Sequence, residues 1–263
     1  MSMIVMKNQY LKESLFDGSK EYHMQNLFKT TDDLLEALAP LEFSHPVTHI
    51  YNPLTYARSA YDEYLKRYGG KPKEVLLLGM NPGPWGMVQT GIPFGEISAV
   101  RDWMGIQPHH GVPETFHPKR PVEGFLCKRR EVSGTRLWGW AEKTFGTPEN
   151  FFNRFFVANY CPLMFLEESG RNRTPNQIPV AERKPFLAPC DQALRETVMY
   201  LQPRHVVGIG AFAADRAKTA LGGLDVTVGR ITHPSPANPK ANKGWEDCIL
   251  KEFSKMGIEG VGE

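Results

Sequence analysis

The sequence predicts an α/β fold of three layers, with helices on both faces of a central, mainly parallel four-stranded sheet. Three observations lead there. Val75-Leu76-Leu77-Leu78 is an unbroken apolar run, the pattern of a parallel strand buried on both faces. Comparable short runs recur later in the chain, separated by longer stretches of helical spacing, so strands and helices alternate. Asn81, Asn159 and His233 fall at or just past strand ends. In an open parallel sheet those ends share one side, where the ligand crevice lies, so three residues remote in sequence are expected to converge.

In chain order, residues 1–28 are mixed in character and are expected to form an extension, partly disordered or loosely docked. No stretch of linker composition divides the remainder, so 29–263 reads as one domain. Thr31–Leu41 has a capping threonine or aspartate and helical apolar spacing, which predicts the first helix. A second covers Pro53–Tyr68, where Tyr56, Tyr61, Tyr64 and Tyr68 form a packing stripe. The Val75 strand ends at Gly79. Ser98–Gly105 predicts a short helix stopped by its glycine. Residues 107–132 read as a long irregular segment with Lys119-Arg120 and Lys128-Arg129-Arg130; such loops are functional or disordered. Gly134–Phe145 predicts a helix and Phe155–Asn159 the second strand. After the polar loop Glu168–Thr174, Val180–Leu201 predicts a long helix, with Pro185 and Pro189 as points of interruption. His205–Ile209 is the third strand, Ala211–Leu221 a helix, Val226–Ile231 the fourth strand, and a further helix begins near Lys240.

Composition limits the function classes. A chain of 263 residues with 41% hydrophobic and 23% charged content is ordinary globular material. No segment approaches the roughly 20 apolar residues of a membrane span, and Met1–Lys29 lacks the apolar core of a signal peptide. The expectation is an intracellular protein, at the nucleoid in a bacterium or in the nucleus of a eukaryote. Cys127, Cys161, Cys190 and Cys248 are scattered without a CxxC pair, which predicts free thiols and neither zinc nor an iron–sulfur cluster. His109, His110 and His117 have no carboxylate or thiol partner at metal spacing, and His23, His45, His49 and His205 read as structural, so no metal and no cofactor is expected. A net charge of only +2 means that a nucleic-acid partner must be held by local basic patches.

The candidate chemistry centres on Val75–Glu96. Asn81 lies among glycines and prolines, and Pro82 biases it toward an extended backbone, so its amide is held stiffly past a strand end. The fourth strand runs into His233, followed by Pro234, Pro236 and Pro239, a stiff protruding segment, with Lys240 and Lys243 placed to meet phosphates. A lone histidine in a Pro-rich loop ordinarily satisfies a backbone group.

Five motifs argue for more. GMNPGPWGMVQTGIPFGE (79–96), VSGTRLWG (132–139), NYCPLMFL (159–166), SGRNRTP (169–175) and HPSPANPKANKGW (233–245) resemble, in order, the single-strand-selective monofunctional uracil-DNA glycosylases of the uracil-DNA glycosylase superfamily, over about 43–245. The resemblance implies a uracil-DNA glycosylase-like fold. It also implies hydrolysis of the N-glycosidic bond of uracil and of 5-substituted uracils such as 5-hydroxymethyluracil in DNA, leaving an abasic site without strand scission.

Asn81 corresponds to the residue that positions the hydrolytic water and His233 to the one that hydrogen-bonds uracil O2. Asn159 corresponds to the reader of the base edge and Phe94 to the aromatic under the flipped base. Gly83 and Met87 correspond to positions near the 5-substituent, and Met80 joins them as a base-binding residue. Lys119, Arg120, Arg171, Arg173, Lys240 and Lys243 are candidates for phosphate contacts, with Pro236, Ala237 and Asn238 in the DNA-facing loop. Such an enzyme is expected to act as a monomer on DNA, single-stranded by preference and double-stranded as well.

Two departures stand out. Ala237 stands where the related vertebrate enzymes carry an arginine in the wedge loop, which predicts weaker duplex activity, and Trp85 replaces a phenylalanine, a larger aromatic expected to keep the packing role and to narrow the 5-substituent pocket. Two other readings keep the fold: a superfamily member that excises deaminated purines, and a non-catalytic module that binds damaged DNA or nucleotides through its Gly-rich turn.

Overall fold

The computed structural model describes residues 18–70, 72–107 and 111–262, with side chains from Leu27 onward. Helix α1 (Gly18–Leu38) leads into strand β1 (Val47–Tyr51), a single turn at Pro53–Tyr56, helix α2 (Arg58–Tyr68) and strand β2 (Val75–Gly79). One-turn helix Met87–Thr90, a π-type turn at Ala99–Trp103 and a 3-10 turn at Gly124–Leu126 precede helix α3 (Val132–Phe145) and the short helix Pro148–Phe152. Then come β3 (Phe155–Asn159), β4 (Met164–Glu167), β5 (Asn172–Arg173), α4 (Val180–Leu201), β6 (His205–Ile209), α5 (Ala211–Ala220), β7 (Thr227–Ile231), a turn at Pro239–Asn242 and α6 (Trp245–Lys255).

Four strands form the expected parallel sheet in the order β3-β2-β6-β7. Register aligns their ends. Gly79 lies opposite Asn159, Leu78 opposite Gly208, and Ile209 opposite Ile231, so the carboxyl ends form one rim. Asn81 is two residues past Gly79 and His233 two past Ile231.

Both faces are covered. On one, Phe155 meets Trp140 and Phe145 of α3, Phe151, and Phe253 of α6, with ring centroids 5.1 to 6.1 Å away. Toward the other, Leu78, Phe156 and Ala158 share a cavity wall with Leu34 of α1 and Leu194 of α4, and Thr30 Oγ1 donates to Glu196 Oε2 at 2.8 Å to tie those helices together. The predicted three layers are present.

Several elements differ from expectation. The first helix begins at Gly18, and Thr31 Oγ1 donates to Leu27 O at 2.8 Å, the back-bond of a threonine inside a helix rather than a cap. A boundary at residue 28 therefore falls within α1; residues 1–17 lie outside the described residues. The 53–68 helix is parted at Ala57, because Asn52 caps a separate first turn through Leu54 N–H. Within the predicted Ser98–Gly105 helix, Ala99–Trp103 winds as a π-type turn. Pro185 and Pro189 do not interrupt α4: each removes one ladder donor, but buried Phe186 and Cys190 hold the turns on either side.

A second, antiparallel sheet β1-β4-β5 was not foreseen. It supports the basic loop. Tyr51 on β1 is fully buried, its hydroxyl donating to Arg120 O at 2.8 Å and accepting from His117 N–H at 2.7 Å. His117 is structural: Nδ1 accepts from Lys119 N–H, so Nε2 carries the proton and donates to Glu167 O at 3.0 Å. The tyrosine stripe packs as expected, with Tyr64 and Tyr68 buried and Tyr68 stacked on Phe152. All four cysteines are free thiols.

The helix after β6 can sit on the sheet only because Gly208 has no side chain: a β-carbon there would stand 2.2 Å from Ala214 N. Gly208→Ala should therefore force α5 off β6 and lower the unfolding free energy by about 2 kcal/mol or more, read by urea denaturation.

Candidate active site

The rim of the parallel sheet bears a cleft of about 420 Å³, open to solvent on one side and lined by Met80, Asn81, Gly83, Met87, Phe94, Glu131, Ser133, Asn159 and His233. All seven residues expected to do the base chemistry line this one cleft.

Backbone groups hold Asn81 and His233, and a side chain meets Asn159. Asn81 Nδ2 donates to Leu163 O at 3.1 Å, which turns its carbonyl oxygen the other way. Asn159, at the end of β3, puts Nδ2 3.1 Å from Met87 Sδ, while its buried Oδ1 has no hydrogen-bond partner. A buried acceptor without a donor costs about 1–3 kcal/mol, so the site waits for a donor. Gly79 makes room for this geometry: a β-carbon there would lie 2.2 Å from Asn159 Oδ1 and 2.6 Å from Phe94 Cε2.

Phe94 has φ 54°, a left-handed conformation rare for an aromatic residue. The carbonyl of Phe94 accepts from Trp138 Nε1 at 3.1 Å, and Gly134 packs so closely that its β-carbon would stand 2.1 Å from that oxygen. Helix α3 thus holds the ring in place against strain of about 1–3 kcal/mol. The Phe94 and His233 rings lie 6.2 Å apart.

His233 has its tautomer set by its own loop. Nδ1 accepts from Ser235 N–H at 3.0 Å, so Nε2 carries the hydrogen and is the donor available to the cleft. Burial pushes the imidazole below its usual value and keeps it neutral at neutral pH. Arg136, which the sequence reading missed, clamps this loop, donating to Pro234 O at 2.8 Å and Asn242 Oδ1 at 2.9 Å. Asn238 Nδ2 donates to His233 O, and Trp245 Nε1 to Thr232 O. Nothing in the spacing of Arg136 announced the clamp, which depends on α3 crossing the loop.

The basic candidates separate into groups. Lys119 and Arg120 abut Gly170, so their loop and that of exposed Arg171 form one patch. Lys240 and Lys243 are exposed beyond the His233 loop, as are Pro236 and Ala237, and Asn238 is half-buried. Arg173 is otherwise employed: its guanidinium pairs with Glu167 Oε1 at 2.9 Å and donates to Gln177 O at 2.7 Å, so it braces β4 and β5. Arg129, not singled out before, lies over the Trp85 ring at 4.4 Å, with Arg120 at 5.5 Å. Trp85 is thus a cation–π anchor for the basic loop. Among the described residues no group of three or more His, Cys, Asp or Glu could hold a metal ion.

Because the folded protein prefers neutral His233, stability from this group is complete above the unfolded value near 6.5 and is lost as pH falls from there through the depressed folded value. His233→Gln, which cannot titrate, should unfold in urea with a shallower loss of stability between pH 7.5 and 5.5 than the parent; parallel curves would place the titration elsewhere.

The uracil DNA glycosylase superfamily model matches residues 67–253 of this chain. A protein of Rattus norvegicus named single-strand selective monofunctional uracil-DNA glycosylase is 49% identical over 223 residues, covering 84% of this chain and 80% of its own length. A Bos taurus protein of the same name is 44% identical over 256 residues, covering 97% and 91%. The crystal structure of Pedobacter heparinus SMUG2 shares the fold at TM-score 0.61 and 16% identity, covering 87% of this chain and 97% of that one. With that much of its length aligned at such identity, the chain belongs to the uracil DNA glycosylase superfamily and, within it, to the single-strand selective monofunctional uracil-DNA glycosylases.

Proposed function

We propose that this protein hydrolyses the N-glycosidic bond of uracil in DNA, preferring single strands and leaving an abasic site. The observation that carries the proposal is that Asn159, whose buried Oδ1 has no hydrogen-bond partner, lines one cleft with Asn81, Phe94 and His233. Uracil supplies what is missing. Its N3–H donates to Oδ1, and its O4 accepts from Nδ2, whereas cytosine presents the reverse pattern at both positions. With the amide fixed, cytosine leaves buried groups unpaired and is rejected.

Bond cleavage then depends on the remaining residues. The base leaves as an anion while the sugar becomes oxocarbenium-like, so the main demand is to stabilise charge on the base. His233 Nε2–H donates to O2, where that charge grows, and a donor of this kind is worth about 3–4 kcal/mol. A neutral imidazole does so without burying a cation. Asn81 holds the attacking water through its free carbonyl oxygen; a weak base suffices because the leaving group drives the reaction. Stacking on Phe94 adds about 1–3 kcal/mol.

Getting the base out of the stack costs least in single strands and mismatches. Lys119, Arg120, Arg171, Lys240 and Lys243 repay part of that cost on phosphates. Ala237 gives the loop only a small wedge, so duplex substrates react more slowly than single strands. Uracils with a small 5-substituent are accommodated along the wall formed by Gly83 and Met87, which line the cleft. No described helix is long and apolar enough to cross a membrane.

The test is incubation with single-stranded oligonucleotides, each carrying one lesion, followed by alkali to reveal abasic sites. Uracil should yield cleavage, cytosine none, and a matched uracil duplex less than the single strand. Asn81→Ala should slow release by ~10²–10⁴ while DNA binding is largely kept. DNA binding without free base from the parent protein would sink the proposal, and a near-parental rate in Asn81→Ala would move the water-holding role elsewhere.

A further inference from the structure

The 3-10 turn Gly124–Leu126 carries the most exposed large apolar side chain among the described residues: Leu126 is 85% exposed. A lone surface leucine is ordinary, but this one stands on a rigid support. Its neighbours on either side turn inward, Phe125 packing against the core and Cys127 being buried. Gln89, fully buried, fixes the turn with both ends of its amide. Its Oε1 accepts from the N–H groups of Glu123 and Gly124 at 2.8 and 3.1 Å, and its Nε2 donates to Pro84 O at 2.9 Å and Pro121 O at 3.0 Å. With both amide hydrogens and both lone pairs engaged, that side chain cannot rotate. The latch ties the leucine's support to Pro84, and so to the turn that carries Asn81.

The surroundings suit a nucleic-acid strand. Lys128, Arg129 and Arg130 follow the turn, all exposed, against one exposed carboxylate at Glu123. Arg129 lies over the Trp85 ring at 4.4 Å, Arg130 Nε stands 3.9 Å from Glu96 Oε1, and the chain then reaches Glu131, which lines the cleft. Leu126 therefore stands on the lip that the Asn81 turn forms, beside cations able to meet phosphates. The His233 loop, by contrast, ends in exposed Pro236 and Ala237 and presents no large apolar side chain.

We infer that Leu126 is the wedge of this protein: on duplex DNA it enters the base stack at the step that the uracil leaves, while Lys128 and Arg129 hold the flanking phosphates. The inference rests on the base extrusion proposed above. An apolar side chain between bases offsets part of the lost stacking, removes its own apolar surface from water and blocks the return of the extruded base. It can do so only if its support does not yield, which the Gln89 latch ensures. A single strand has no paired stack to hold open, so the leucine contributes little there.

The test compares single-turnover excision of uracil from a matched duplex and from the same strand alone by the parent, Leu126→Ala and Leu126→Met. The readout is the ratio of the duplex rate to the single-strand rate, in which any general loss of activity cancels. Leu126→Ala should lower this ratio about tenfold or more, the burial of one apolar side chain expressed as a rate. Leu126→Met, of similar size, should restore most of it. The side chain is exposed, so neither change threatens the fold. A ratio unchanged in Leu126→Ala, or a parent that acts on the single strand and not at all on the duplex, overturns the wedge and leaves the glycosylase proposal intact. A parent that releases no uracil from the single strand overturns the proposal beneath it.

Discussion

The absence of a side chain at Gly79 is the constraint on which the site depends. Parallel pairing sets this residue directly beside Asn159 at the ends of β2 and β3. Any β-carbon there would collide with both the Asn159 amide and the Phe94 ring. Take that space away and the amide, the aromatic floor and the Asn81 turn can no longer share one cleft. The buried strands thus act as a ruler: their register fixes where three distant polar residues emerge, and one glycine sets how closely they approach.

Around that point the protein holds costs that folding alone would remove. Asn159 Oδ1 is buried without a partner, and Phe94 keeps a left-handed backbone. Each costs about 1–3 kcal/mol, a noticeable part of a typical domain's stability. The surrounding structure over-determines both. Trp138 and Gly134 on α3 trap Phe94, the parallel ladder anchors Asn159, and Arg136 fixes the His233 loop. Helix α3 is therefore as much a part of the site as the strands, since it supplies the Phe94 clamp, the Arg136 clamp and Glu131 at its start. Preorganisation of this kind places donors and acceptors before substrate arrives, which is where electrostatic catalysis gains most.

The parallel sheet and the convergence of Asn81, Asn159 and His233 were legible in the sequence because the governing signals are local, whereas Met80, Gly83, Met87 and Phe94 followed only from the family resemblance. Unbroken apolar runs such as Val75–Leu78 mark doubly buried strands, and a residue just past such a run has nowhere to go but the rim. Elements whose stability comes from distant partners were harder to see. Val47–Tyr51 and Met164–Glu167 become strands by pairing with each other across the chain, and the short antiparallel sheet they form appears only once β4 is in place. Trp245, Ile249 and Phe253 did carry readable helical spacing, which the sequence reading left unused. Charge was the least legible property. Arg171 and Arg173 sit two residues apart, yet one is exposed and the other is bound to Glu167. Glu131 likewise gave no local sign of lining a pocket, because its position depends on two glycines some fifty residues earlier.

The central claim is that a fixed, unpartnered acceptor on Asn159 selects the base through its N3–H. The most direct measurement is the single-turnover excision rate of 3-methyluracil against uracil in the same single-stranded oligonucleotide. Methylation at N3 removes the donor but leaves the N1 leaving group comparable. The account predicts that 3-methyluracil is released more slowly by about a hundredfold or more. Comparable rates for the two bases would contradict it.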